Sequence, residues 1–114
     1  MTLQDLINTL NLEILTEPQD FGAITPTCGY VSDLLSCVMT GAKPGGVWVT
    51  LQAHMNIIAV AALTEQCAIL ITEGARPEPP VIAKANAQGI ALLLTAAPSF
   101  DVVGKLWEMG LRNG

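Results

Sequence analysis

Short, unbroken apolar runs alternate with helix-like segments over the second half of the chain. Residues 47–51, 68–71 and 90–94 are apolar runs of strand length. Residues 56–64 and 79–88 lie between these runs and have the length and pattern of helices. Continuous apolar strands, as opposed to alternating ones, are typical of a parallel sheet that helices cover on both faces. The second half therefore predicts an α/β fold.

The first half has weaker but similar signals. Thr2 and Asp5 resemble a capping box, and apolar residues at helical spacing follow, so a helix is expected over 3–10. Residues 12–15 and 24–31 are strand candidates. Pro26 indicates an edge strand or a bulge for the second of them, because proline lacks the N–H group that a sheet ladder needs. Ser32 is expected to cap the next helix, with Asp33 in its first turn.

The last two helices have recognisable ends. Prolines 79 and 80 suit a first helical turn, and Gly89 is the natural residue just beyond the end of that helix. Ser99 is expected to cap the final helix, whose apolar face includes Leu106 and Trp107. Taken together, residues 1–114 predict one α/β domain. Its sheet is mostly parallel, with four to five strands and helices on both faces.

Polar residues collect just after the predicted strands. Ligands of open parallel sheets bind beyond the carboxyl ends of the strands, so these positions form a candidate ligand site. The ten candidates are Ser32, Asp33, Gln52, His54, Asn56, Thr72, Glu73, Gly74, Arg76 and Thr95. One interpretation is a cleft for a small anionic or nucleotide-like ligand. The other is that surface loops and helix caps are polar for structural reasons alone.

The sequence offers no nucleophile–base pair and no metal-binding pattern. His54 is the only histidine, so recognition or capping is expected of it, and no residue is assigned a catalytic role. The cysteines at 28, 37 and 67 fit no zinc spacing and are expected to be buried, inert thiols. The glycine-rich segment 43–46 precedes a strand, whereas a phosphate loop follows one. No metal and no cofactor is expected.

Composition narrows the classes of function further. The 114 residues are 51% hydrophobic and 13% charged, with a net charge of −5, which argues against disorder and against nucleic-acid binding. No signal-peptide pattern and no apolar run of bilayer length is present, so a cytoplasmic protein without a membrane partner is expected.

Because the chain has so few charged residues, part of its surface must be apolar, and large exposed apolar patches usually mark interfaces. The sequence therefore predicts a homodimer, the commonest closed assembly. The candidate interface segments are 41–48, 59–62 and 107–111, and the helix that carries Asn56, Ala59 and Leu63 is favoured among them.

Three segments resemble the DRTGG domain family: GYVSDLLS at 29–36, VWVTLQAH at 47–54 and NIIAVA at 56–61. The opening, TLQDL at 2–6 through LEIL at 12–15, is similar to the N-terminal domain of HPr kinase/phosphorylase. The resemblance extends from about residue 1 to 110. Thr72 and Gly74 fit the threonine and one glycine of the family name, whereas Glu73 stands at the other glycine. Ala53 and His54 stand about where the Asp-Arg pair would be.

The resemblance implies an HPr-kinase N-terminal-domain-like fold and a non-catalytic module that regulates, dimerises and binds a small ligand. The P-loop domain that carries kinase chemistry has no counterpart here. Single-domain members accompany iron-only hydrogenase genes, which implies a protein partner as an alternative: an accessory protein of a redox enzyme. The third alternative is a small enzyme that uses His54 with Asp33 or Glu73, and it requires a hydrogen bond between histidine and carboxylate.

Overall fold

The computed structural model describes residues 1–114, which form a five-stranded sheet with helices on both faces. The helices are α1 (Leu3–Leu10), α2 (Leu35–Gly41), α3 (Asn56–Leu63), α4 (Pro79–Gln88) and α5 (Ser99–Glu108). The strands are β1 (Glu13–Ile14), β2 (Gly29–Val31), β3 (Val47–Thr50), β4 (Ala68–Ile71) and β5 (Ala91–Leu94). The predicted fold class is confirmed.

The sheet has the order β1-β5-β4-β3-β2. Strands β2 to β5 run parallel, and only the two-residue β1 is antiparallel, paired with β5. Every residue of β3, β4 and β5 is buried, because these strands lie at the centre and are covered on both sides. This burial explains why their sequences are continuous apolar runs.

Two separate apolar layers hold the helices to the sheet. On one face, α1 and α5 pack against alternate strand residues such as Val49, Leu70 and Leu93. On the other face, α2, α3 and α4 pack against the intervening residues, which include the fully buried Trp48 and Ile69. None of the five helices combines the length and the apolar character that a membrane crossing needs.

Four local predictions were wrong in detail. The second strand begins at Gly29, five residues after the predicted start, because the N–H of Thr27 already donates to the Gly45 carbonyl (3.0 Å) and Pro26 has none. Ser32 does not cap α2; its hydroxyl accepts from the N–H of Leu34 (3.1 Å) in a turn before the helix. Trp107 belongs to no buried face and is 58% exposed.

Ser99 is likewise not the cap of α5 but its first residue, with Pro98 at the capping position and no side-chain cap from it. The Ser99 side chain therefore faces the loop after β4 instead of its own helix. By contrast, the capping box of Thr2 and Asp5 at the start of α1 is confirmed, as is Gly89 in left-handed conformation after α4 (φ 69°).

Two glycines in open space give a paired test of the helix boundaries. Gly104 lies inside α5 and Gly89 just after α4, and a Cβ added at either would meet no atom within 4 Å. Gly104→Ala should raise the free energy of unfolding by about 0.5–1 kcal/mol, because alanine favours helix interiors. Gly89→Ala should lower it by about 1 kcal/mol, because a side chain disfavours left-handed backbone. Urea denaturation measures both; shifts of the same sign would contradict the assigned boundaries.

Candidate functional site

The ten candidate residues follow the carboxyl ends of the four parallel strands. Because these strands point the same way, their ends and the loops that follow them share one edge of the sheet, here termed the carboxyl edge. Sheet order places the loop after β2 at one extreme and the residues after β5 towards the other. The side chains divide into four local groups, and each group has its own hydrogen bonds.

The first group ties the ends of β2 and β3 together. One carboxylate oxygen of Asp33 accepts from the Thr50 hydroxyl (2.8 Å) and from the N–H of Leu51 (2.9 Å). The Gln52 side-chain amide donates to the Asp33 carbonyl (3.3 Å), and the Trp48 indole donates to the Ser32 carbonyl (2.9 Å). Asp33 thus provides an acceptor for two donors at the end of β3, the Thr50 hydroxyl and the Leu51 N–H, which would otherwise be unpaired.

The second group connects the end of β4 with the start of α5. The Glu73 carboxylate accepts from the N–H of Ser99 (2.8 Å), and the hydroxyls of Thr72 and Ser99 are 2.5 Å apart. Thr72 is fully buried, and Glu73 has left-handed backbone (φ 60°). Glu73 therefore places a negative charge at a helix N-terminus, which favours it electrostatically.

The third group is a bidentate ion pair, which we call the Arg76–Glu13 pair. The guanidinium contacts both oxygens of the Glu13 carboxylate, at 2.6 and 3.0 Å. Hydrogen bonding from Arg76 lowers the pKa of Glu13, and Glu13 in turn raises the pKa of Arg76. Both side chains are more than half exposed, so the pair lies at the surface, where solvent and ligands reach it.

A surface hollow of about 430 Å³ opens beside this pair. Of the candidate residues, Gly74, Arg76 and Thr95 line it. Sequence reasoning missed the rest of the lining: Leu10, Asn11, Glu13, Leu94, Ala96 and Ala97. Glu13 and Asn11 approach from the other end of the chain, and only the docking of β1 on β5 brings them here. A charged residue on a two-residue edge strand gives no sequence signal of its own.

The fourth group is His54 with Asn56. The histidine Nδ1 accepts from the N–H of Asn56 (3.2 Å), the first residue of α3, whose capping position is Met55. No hydrogen bond joins His54 to Asp33 or to Glu73, whose carboxylates are engaged as described. The arrangement that the enzyme alternative requires is therefore absent from these contacts. The Thr95 hydroxyl accepts from the nearby N–H of Ala97 (3.2 Å).

The structure thus brings three of the ten candidates to one concave surface and uses most of the others to join loops. No three His, Cys, Asp or Glu side chains are grouped so that they could hold a metal ion. All three cysteines are free thiols, and burial raises the pKa of Cys67 to about 11. The Cys67 thiol is consequently protonated near neutral pH, the form that is a poor nucleophile.

The contact between Glu73 and Ser99 can be tested against a matched carboxylate. Glu73→Ala should lower the free energy of unfolding by about 1 kcal/mol, because it removes an acceptor at a helix N-terminus. Glu78 stands at the capping position of α4 but makes no capping hydrogen bond from its side chain, so Glu78→Ala should change stability by less than about 0.5 kcal/mol. Thermal or urea unfolding compares them. Equal losses would show that Glu73 does not cap α5.

Comparison with known proteins gives a structural neighbour with a similar fold. No protein-family model and no curated protein sequence matches the chain. The fold is similar to the CBS and DRTGG domains of the regulatory region of Clostridium perfringens pyrophosphatase, a structure complexed with its activator, diadenosine tetraphosphate. The TM-score is 0.75 at 17% sequence identity, over 90% of this chain and 44% of that one. The chain therefore has the α/β fold of a DRTGG-like domain, as its sequence resemblance predicts.

Proposed function

We propose that the protein is a non-catalytic regulatory module that binds a nucleotide-like ligand in the hollow beside Arg76. The observation that carries the proposal is the Arg76–Glu13 pair: a guanidinium fork at the rim of a concave surface, held in place by an exposed carboxylate. Phosphate presents oxygens with the same spacing as a carboxylate and bonds to arginine in the same bidentate manner. A phosphorylated ligand therefore competes directly with Glu13 for Arg76.

The rest of the hollow suits the other half of a nucleotide. Leu94, Ala96 and Ala97 supply an apolar wall for a base, while Thr95 and Asn11 supply polar groups near it. Four of the nine lining residues are hydrophobic, so the hollow is more polar than most ligand pockets. The regulatory region with a similar fold is bound to an adenine dinucleotide, which supports the choice of ligand class. Because this chain spans 44% of that region, the activator itself is not carried over.

The absence of a catalytic pair supports a regulatory role over an enzymatic one. The carboxylates of Asp33 and Glu73 have structural partners, and His54 accepts from its own helix start. None of them activates a nucleophile in the way acyl or phosphoryl transfer requires. Two of the positions where this sequence departs from the DRTGG letters have such local partners: Glu73 accepts from the start of α5, and His54 accepts from the start of α3.

Opposite charge changes at the two members of the ion pair test the ligand site. Arg76→Gln should weaken binding of ATP or of diadenosine tetraphosphate about tenfold or more, because it removes the fork. Glu13→Gln should tighten binding, because it frees the fork from its carboxylate. Isothermal titration calorimetry measures the affinities, and a ligand at 100 times its Kd should stabilise the protein by about 2.7 kcal/mol.

Lys84→Gln is the charge-matched control for Arg76→Gln. Lys84 is exposed on α4, away from the hollow, so its loss should leave affinity unchanged. If the Arg76–Glu13 pair only stabilised the shape of the hollow, either substitution would break the pair. Both variants would then bind the ligand more weakly. Weaker binding in Glu13→Gln, or no saturable binding by the unmodified protein, would refute the proposal.

We further propose that the protein is a homodimer that associates through the outer face of α3. This helix has the sequence NIIAVAAL, with no charged residue, and lies between α2 and α4. Ile57, Ile58 and Ala61 face the sheet, while Ala59 and Leu63 face outward with Leu63 71% exposed. Small residues beside an exposed leucine let a second helix approach closely, and a two-fold pairing is the commonest closed solution.

Leu63→Lys tests this interface. It should convert a particle of twice 12.0 kDa into one of 12.0 kDa in light scattering at micromolar concentration, because it puts a charge into the helix contact. Leu34→Lys is the control, since Leu34 is also 61% exposed but lies before α2. A single-chain mass for the unmodified protein, unchanged on concentration, would contradict the dimer.

A further inference from the structure

An apolar groove runs along the other end of the sheet, beside the edge strand β2. Its volume is about 280 Å³. Gly29, Val31 and Val49 form its floor on the sheet. Val103, Leu106 and Trp107 of α5 form one wall, and the tail from Leu111 to Asn113 closes the end. We call this surface the β2–α5 groove.

The groove exists because the two faces of the sheet carry different numbers of helices. Three helices cover one face, whereas only α1 and α5 cover the face on which the groove lies. Helix α5 packs over the centre of the sheet, so the strip above β2 has no helix above it. Val31 is accordingly 48% exposed and Trp107 58% exposed, although their neighbours Val49 and Leu106 are buried.

Arg112 gives the groove a charged end. One guanidinium nitrogen donates to the carbonyls of Trp107 (2.8 Å) and Leu111 (2.9 Å), and the guanidinium stacks 3.7 Å from the centre of the Trp107 ring. These contacts fix the side chain at the rim. Its Nε and second terminal nitrogen make no hydrogen bond, and no carboxylate pairs with it. Arg112 is therefore a cation held in place at the rim, with three N–H groups on two nitrogens still free.

We infer that the β2–α5 groove binds a small amphipathic anion, with an apolar chain along the groove and a carboxylate on Arg112. An apolar floor that ends at an immobilised, unpaired guanidinium matches the two halves of such a molecule. Arginine forks bind carboxylates bidentately, and preorganisation reduces the entropy that binding costs. The volume lies just below the usual range for ligand pockets, about 300–1,000 Å³, so a dinucleotide does not fit there.

This site is separate from the one proposed for nucleotides. None of the residues that line the groove lines the hollow beside Arg76, and the two lie at opposite ends of the sheet order. The groove is also on the face opposite α3. Its ligand is therefore predicted independently of the regulatory nucleotide and of the dimer.

The two tryptophans make the experiment selective. Trp107 lines the groove and is exposed, whereas Trp48 is fully buried against α2 and α3, so a change in emission reports mainly on Trp107. Titration with decanoate, below the concentration at which it forms micelles, should give a saturable blue shift. Decanol, with the same chain and no charge, and inorganic phosphate, with charge and no chain, should each bind at least about tenfold more weakly.

Variants separate the two halves of the site. Arg112→Gln should weaken decanoate binding about tenfold or more, and Lys84→Gln, which removes an exposed cation on α4, should leave it unchanged. Val31→Asp places a negative charge on the groove floor while Arg112 stays intact, and it should also abolish binding. Amide NMR shifts at Gly29, Val31 and Arg112 check the location without tryptophan, and circular dichroism checks the fold of each variant.

Three results would overturn the inference. Equal affinity for decanol and decanoate would show that Arg112 binds no anion. Unchanged decanoate affinity in Arg112→Gln would show the same. Loss of the dimer in Val31→Asp, with no saturable decanoate binding by the unmodified protein, would assign the groove to a second copy of the chain.

Discussion

The burial of three neighbouring parallel strands on both faces is the constraint on which the rest of the structure depends. Strands β3, β4 and β5 expose no residue to solvent, so each face needs its own layer of helices. Parallel strands also need a crossover between successive members, and α3 and α4 serve as both crossover and cover. The one incompletely covered strip lies above the edge strand β2, and the β2–α5 groove occupies it.

The same arrangement explains why the polar residues divide into structural and accessible groups. Every loop after a buried strand begins with backbone groups that have lost their ladder partners, and burial without a partner is costly. Asp33 supplies such a partner for Leu51 after β3, and Glu73 supplies a partner for the N–H of Ser99 at the start of α5. Arg76 is different, because its only partner is an exposed carboxylate from a distant part of the chain. That difference, more than polarity itself, distinguishes a candidate binding residue from a cap.

Elements with local signals could be predicted from the sequence, and elements set by distant contacts could not. Helix α1, strand β4 and helix α4 have the predicted bounds because a capping box, an apolar run and a Pro-to-Gly frame each lie within the element. The start of β2 was wrong because Thr27 bonds to Gly45, eighteen residues later. The sequence predicted three of the nine residues that line the hollow beside Arg76, and it missed Glu13, which reaches the hollow from 63 residues away. Neither contact can be recognised from the spacing of apolar and polar residues in the sequence.

The ion pair also joins two parts of the chain that have different local stability. Strand β1 has two residues, both exposed, and lies at the outer edge of the sheet, where local opening needs the least free energy. Arg76 fastens this strand to the loop after the central strand β4. In the proposed site, a ligand that takes the guanidinium would remove this contact from the strand, so ligand occupancy and the amide-exchange protection of β1 would be thermodynamically linked. Linkage is reciprocal, so an interaction that stabilises the ion-paired position of β1 would lower the affinity for the ligand by the same factor.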